Sequence, residues 1–170
     1  MEIGVSLPVM EPGWNREHFL CWCRRIDRGP FSSLSLGERI AYSNPEFITA
    51  LAAAAAVTEH VRLLATVMVL PLHRPVIAAK QLATIDMLSN GRLSVGVGIG
   101  GRTEDYAAAQ VSLDQRRQAV LAQQVATLRR VWRGDHAGDP LRHPVQPAPV
   151  QRGGPPLLAG AMGPRAIDAA

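Results

Sequence analysis

The sequence has little of what marks several large protein classes. Aromatic residues make up 5% of its 170 positions, charged residues 19%, and there are two cysteines. Two cysteines cannot staple a small disulfide scaffold. A hydrophobic share of 47% is too high for intrinsic disorder, and 15 glycines without a strict period exclude collagen. No apolar run approaches the roughly 18 residues of a membrane span. The start, MEIGVSLPVMEPG, shows neither the basic region nor the small-residue cleavage site of a signal peptide. These absences point to a soluble cytoplasmic protein with no membrane partner. A chain of this length can remove roughly two thirds of its unfolded surface from water, enough for a sizeable core.

Lysine is almost missing too: Lys80 is the only one among 18 basic residues. The net charge of +4 is unevenly spread, with 10 basic and 11 acidic residues in 1–115 and 8 against 3 in 116–170. Arg116/Arg117 and Arg129/Arg130 have no aromatic residues between them, the pattern of solvated helix faces rather than a nucleic-acid site. Cys21 and Cys23 stand two apart in a helical stretch, so they face different ways and read as packing residues. The histidines at 18, 60, 73, 136 and 143 show no ligand spacing such as HExxH, and no metal is expected.

What is present is one pattern repeated five times. Ile3, Val5 and Leu7 alternate as a strand, and Asn15 then caps a helix to Ile26 with Phe19, Leu20, Cys23 and Ile26 on one stripe. Phe31 to Leu36 reads as a second strand, followed by Asn44 as N-cap and Pro45 at N1 of an alanine-rich helix to about Thr58. Val61 to Leu70 is apolar almost throughout, as a parallel strand covered on both faces would be. A helix from Pro75 to Leu88 buries Ile77, Leu82, Ile85 and Leu88. A fourth strand runs from Arg92 to Ile99, and a helix from about Leu113 to Arg133 carries Val120, Leu121, Val125, Leu128, Val131 and Trp132. Residues 135–155 hold five prolines and read as a surface loop. Pro156 to Ala161 is a short fifth strand, and Gly163 and Pro164 open another helix.

Strands alternating with helices imply right-handed βαβ units and a parallel sheet. Five strands at this length favour an open doubly wound sheet over an eight-stranded barrel, which needs about 250 residues. Gly96, Gly98 and Gly101 satisfy GxGxxG after a strand, the pattern of a dinucleotide site. No helix follows directly, and no acidic residue ends another strand about 20 positions on. The other reading is that Gly96 and Gly98 let the backbone run close to a neighbour or a flat ring.

Several collinear segments resemble the luciferase-like monooxygenase family. They are Gly37-Glu-Arg39, Leu63-Leu-Ala-Thr-Val-Met-Val-Leu-Pro-Leu-His-Arg-Pro75, Ala79 to Leu93, Gly96-Val-Gly-Ile-Gly-Gly101, and Pro155 to Pro164. The resemblance implies a (β/α)8 TIM-barrel fold truncated here to about five βα units, with 1–170 its N-terminal portion, in place of the open sheet. It implies reduced FMN or the deazaflavin F420 as cofactor and an oxidoreductase or monooxygenase acting on a small-molecule substrate.

The resemblance also assigns positions. Val67 and Met68, with Leu70 beside them, match a bulge in the third strand that backs the isoalloxazine ring, against the plain alternative of core packing. Gly98, Ile99 and Gly100 would flank the ring. Glu104 falls where the family places a polar residue, or is a solvated helix-entry carboxylate. Gly160, Ala161, Met162 and Gly163 resemble a phosphate loop, in keeping with the affinity of a helix N-terminus for anions. Where the family often has a histidine, this chain has Arg39, which cannot act as a base at neutral pH. Glu38 could accept a proton at the end of strand two, or pair with Arg39 to fix the loop. The alternative to an enzyme is a non-catalytic or incomplete barrel fragment, a cofactor-binding or assembly module. Its edge strands invite association, and a homo-oligomer is expected.

Overall fold

The computed structural model describes residues 1–113, 117–135 and 143–160. Five strands, β1 (Gly4–Ser6), β2 (Ser33–Leu36), β3 (Arg62–Val69), β4 (Leu93–Gly98) and β5 (Leu157–Ala159), form one sheet. All pairs are parallel and the order is β1-β2-β3-β4-β5. A doubly wound sheet reverses direction at a switch point; strictly sequential order does not, and it puts every helix on the same face. The chain is therefore an α/β arc of the (β/α)8 barrel type, five units long. The same order removes the dinucleotide reading of Gly96, Gly98 and Gly101.

The helices are α1 (Arg16–Arg28), α2 (Phe47–Val57), α3 (Pro75–Leu88), α4 (Thr103–Ala108) and α5 (Arg117–Trp132). Asn15 caps α1 as expected, its Oδ1 accepting the His18 N–H at 2.9 Å. The cap of α2 is Glu46 rather than Asn44. Its two carboxylate oxygens accept the N–H groups of Ile48 and Thr49 at 3.1 and 2.7 Å, so one side chain satisfies two orphan amides. Asn44 instead donates through Nδ2 to the carbonyls of Arg39 and Pro45. Helix α4 begins two residues after Gly101, where no helix was expected to follow directly.

The core lies between the sheet and its helices. Leu34, Leu36, Leu63, Ala65, Leu93 and Val95 meet Cys23 and Ile26 of α1, Leu51 and Ala54 of α2, and Leu82 of α3. The buried stripe of α3 is rotated from the expected one. Ile77 and Leu88 are exposed at 53% and 47%, while Ala78, Ala79, Ala83 and Asp86 are buried. Small alanines let α3 approach its neighbours closely. Asp86 can be buried because Gln151 donates to it from both its backbone N and Nε2, at 3.0 and 2.7 Å. That contact also anchors the proline-rich loop before β5.

The other face of the sheet is concave and carries small or polar residues: Gly4, Ser6, Ser33, Ser35, Ser94, Gly96 and Gly98, with Arg62 donating to the Ser94 hydroxyl at 2.9 Å. Strand β3 is thus covered on its helix side only, and its concave-side residues Leu64 and Thr66 are partly or fully accessible. Full apolarity in β3 suggested cover on both faces; the arc supplies one.

Candidate functional site

The carboxyl ends of the strands bring together the loop after β2, the end of β3 with its 3-10 turn (Leu70–Leu72), the loop after β4 with α4, and Gly160 after β5. The end of β3 is irregular. Ala65 pairs with Val95 and Met68 with Val97, so β3 carries one residue more than β4 across this step, a β-bulge. The extra residue changes which way the side chains face. Strict alternation from Leu63 and Ala65 would send Val67 into the helix-side core. Instead Met68 and Leu70 lie there, fully buried, and Val67 turns to the concave face.

On that face the Val67 methyls rest on glycine backbone. A Cβ at Gly98 would stand 3.1 Å from Val67 Cγ2, one at Gly160 2.9 Å from Cγ1, and one at Gly96 3.1 Å from Cγ1 and 2.6 Å from the Ala65 carbonyl oxygen. The neighbour that sequence reading inferred for Gly96 and Gly98 is therefore Val67 itself. Beyond it, Gly100 takes φ +62°, and a Cβ there would meet Val69 Cγ1 at 2.7 Å. The result is a wall that is mostly glycine backbone, formed by Val67, Gly98, Gly100 and Gly160. The side chains of Met68 and Leu70 are not part of it.

The β2 loop closes one side. Glu38 is buried, its side chain 1% exposed; Oε2 accepts the Val69 N–H at 2.6 Å and Oε1 lies 2.7 Å from His73 Nε2. The alternative in which Glu38 pairs with Arg39 is not what forms. Successive residues of an extended segment point opposite ways, and Arg39 turns to α4. Its Nε donates to Asp105 Oδ2 at 2.8 Å, Nη2 is 3.5 Å from Glu104 Oε1, and the guanidinium lies 4.9 Å from the Tyr42 ring centroid. Asp105 also accepts the N–H groups of Ile40 and Ala41 at 2.9 and 2.8 Å. Burial alone would raise the pKa of its carboxyl. Those two amides and the Arg39 guanidinium outweigh burial and hold it below the usual carboxylate range.

The loop after β4 is pinned from behind. The Tyr106 hydroxyl donates to the Ile99 carbonyl, Arg117 Nη1 donates to the Gly100 carbonyl at 3.2 Å, and the Arg117 guanidinium lies 5.6 Å from the Tyr106 ring. Glu104 is half exposed and shared between Arg39 and Arg102. Gly160 donates its N–H to the Val97 carbonyl at 2.7 Å, continuing the β4–β5 ladder. Ala161, Met162 and Gly163 lie outside the described residues.

The strand ends thus gather Glu38, Arg39, Val67, Gly98, Ile99, Gly100, Glu104 and Gly160. Sequence reading missed His73, Asp105, Tyr106 and Arg117, which hold these residues in place. His73 stood inside one of the matched segments but carried no metal-ligand spacing. Asp105 had no signal, because its partners are 64 to 66 residues away in the chain. A groove of about 510 Å³ lies in the helix layer between the N-terminal parts of α1 and α2, lined by Trp14, Phe19, Leu20, Glu46 and Ala53.

The wall at the strand ends is mostly glycine backbone and apolar, and Arg39, Arg102 and Arg117 are among the cations beside it. Known proteins share the sequence pattern and the fold. A family model described as luciferase-like monooxygenase matches residues 1–170. An uncharacterised protein of Mycobacterium tuberculosis is 42% identical over 88 residues, which is 51% of this chain and 30% of the relative. The oxygenase component of the flavin-dependent trigonelline monooxygenase of Acinetobacter baylyi is 29% identical over 155 residues, covering 86% of this chain and 43% of the relative. Among solved structures, the monooxygenase RslO1 of Streptomyces bottropensis aligns with a TM-score of 0.77 at 28% identity, covering 94% of this chain and 53% of that one. Two others share the fold at 18% identity. They are the oxygenating constituent of 3,6-diketocamphane monooxygenase from Pseudomonas putida in complex with FMN (TM-score 0.75; 94% and 51%) and the coenzyme F420-dependent tetrahydromethanopterin reductase of Methanopyrus kandleri (TM-score 0.77; 99% and 52%). The chain spans about half the length of the structures it matches.

Proposed function

The chain belongs to the luciferase-like monooxygenase family, and from that premise we propose that it carries the cofactor wall of a flavin- or F420-dependent oxidoreductase that moves a hydride between the cofactor ring and a small organic substrate. The observation that supports this reading is the β3 bulge, which turns Val67 onto the glycine bed of β4 and β5. Val67, Gly98, Ile99 and Gly100 would hold one face of the ring, with Met68 and Leu70 contributing backbone only. Ala161, Met162 and Gly163, which follow Gly160, would take the phosphate through backbone N–H groups. When bound, FMN or F420 supplies the redox chemistry, and an FMN form could use oxygen as a monooxygenase. Arg39, held by Asp105, serves as a fixed hydrogen-bond donor at the mouth. Glu104, half exposed, tempers that charge.

Titration of the purified chain with FMN and with F420, followed by cofactor fluorescence, tests this reading. Saturable binding of either at micromolar concentration is the expected result. A second reading is favoured by the outer edges of β1 and β5, which have no strand neighbour among the described residues. On that reading the chain is a non-catalytic assembly module that forms a homo-oligomer through its edges. A folded oligomer by gel filtration that binds neither cofactor would select it over the enzyme.

A further inference from the structure

We infer that Glu38 is a positioning residue: its carboxylate ties the end of β2 to the bulged end of β3 and so fixes where Val67 is presented. The importance of that position rests on the cofactor role proposed above. The β2–β3 ladder runs from Ser33 opposite Arg62 to Leu36 opposite Ala65 and stops there, where the bulge begins. Beyond it β3 stays paired with β4, through Met68 with Val97 and Val69 with Gly98. On the β2 side the Val69 N–H has no backbone carbonyl to meet, and Glu38 Oε2 accepts it at 2.6 Å. A side-chain oxygen stands in for the missing rung.

The second oxygen extends the grip. Glu38 Oε1 meets His73 Nε2 at 2.7 Å, just past the 3-10 turn Leu70–Leu72. That turn is closed by the His73 N–H donating to the Leu70 carbonyl at 2.9 Å, and the His73 carbonyl accepts from Gln124 Nε2 of α5 at 2.9 Å. One carboxylate therefore holds both ends of the segment that leads out of the bulge, and Gln124 braces it from the helix layer. A carboxylate this deeply buried is held by its partners, and breaking them leaves a charge or two polar groups unsatisfied. With both oxygens engaged and the side chain 1% exposed, Glu38 acts through the backbone it holds. The proton-acceptor role considered from sequence would need both contacts broken.

The variants that separate position from proton chemistry are Glu38→Ala, which removes both contacts, and Glu38→Gln. The amide keeps an oxygen for the Val69 N–H and can donate to His73 Nε2 once that ring carries its proton on Nδ1. Residue-resolved amide exchange of the full 170-residue chain reads the grip without any cofactor. Glu38→Ala should speed exchange across Val69 to His73 by about tenfold or more, with α3 unchanged, and Glu38→Gln should stay within about threefold of wild type. FMN affinity by fluorescence quenching should follow the same order. Unchanged exchange at Val69 in Glu38→Ala overturns the inference. So does an FMN affinity in Glu38→Gln as poor as in Glu38→Ala, which would assign the effect to the charge. Should Glu38→Ala fail to fold, His73→Ala, which removes one contact, should still speed exchange at His73, and no change there is equally fatal. If wild type binds no cofactor, the functional reading fails while the exchange result still decides the positional one.

Discussion

Asp105 Oδ2 accepts a hydrogen bond from Arg39 Nε at 2.8 Å, across 66 residues of sequence. The contact joins the loop after β2 to α4 at the carboxyl ends of the strands. Because Asp105 Oδ1 also accepts two backbone N–H groups of the same loop, the carboxylate works as a clamp. Replacing Asp105 with Ala strands a part-buried guanidinium and two amides. The expected loss is about 3 kcal/mol of unfolding free energy, measured by urea titration. Asp105→Asn keeps an oxygen for the amides but not the charge, and should lose about half as much. A loss of under about 1 kcal/mol in the Ala variant would mean the loop is held by other contacts.

A second clamp, at the other end of the sheet, sets the acid stability. Asp27 accepts the N–H groups of Glu59, His60 and Val61 at 2.8 to 3.0 Å. Burial pushes its carboxyl up, but the three amides and the His60 ring outweigh it and bring the pKa from 3.8 down to about 2. A folded-state pKa below the unfolded one stabilises the fold above the unfolded value and is lost as pH falls through the folded value. Asp27 should thus contribute about 2 kcal/mol above pH ~4, disappearing between about pH 4 and 2. Urea midpoints measured from pH 6 to pH 2 should fall over that window, and Asp27→Asn should flatten the fall.

The two cysteines should differ sharply in reactivity. Cys21 is exposed, whereas Cys23 is fully buried and burial pushes its thiol up to about 12. A thiol reagent acts on the thiolate. Native protein at pH 8 should therefore titrate one thiol quickly and the second only in denaturant. Two fast thiols would show that α1 does not pack on the sheet as described.

Much of the fold was legible because it is local. The alternation of strand and helix, the Asn15 cap and the β4 glycines each have a signature within a few residues. The barrel order of the strands was not legible from periodicity, since five βα units at this length favour an open sheet; it came with the resemblance. The side-chain directions after Ala65 were hidden for a specific reason. A bulge adds one residue, and period-two counting then assigns every later side chain to the wrong face. Asp105, Asp86 and Glu38 owe their burial to partners 31 to 66 residues away, which no window of sequence displays.

The packing of Val67 on glycine can be tested by a double-mutant cycle. A Cβ added at Gly98 approaches Val67 Cγ2 at 3.1 Å, so Gly98→Ala should destabilise the chain by about 1 kcal/mol as the valine is pushed aside. In a Val67→Ala background the obstructing methyl is gone, and the same substitution should cost less by about 0.5 kcal/mol or more. Gly96 behaves differently, because its added Cβ would stand 2.6 Å from the Ala65 carbonyl oxygen, which is backbone. The same Cβ would also stand 3.1 Å from Val67 Cγ1, so Gly96→Ala should cost about 1–3 kcal/mol and Val67→Ala should relieve only part of that cost. Urea denaturation of the six proteins measures both couplings. Absence of coupling at both glycines would mean that Val67 does not lie over β4 and that the bulge turns its side chain elsewhere.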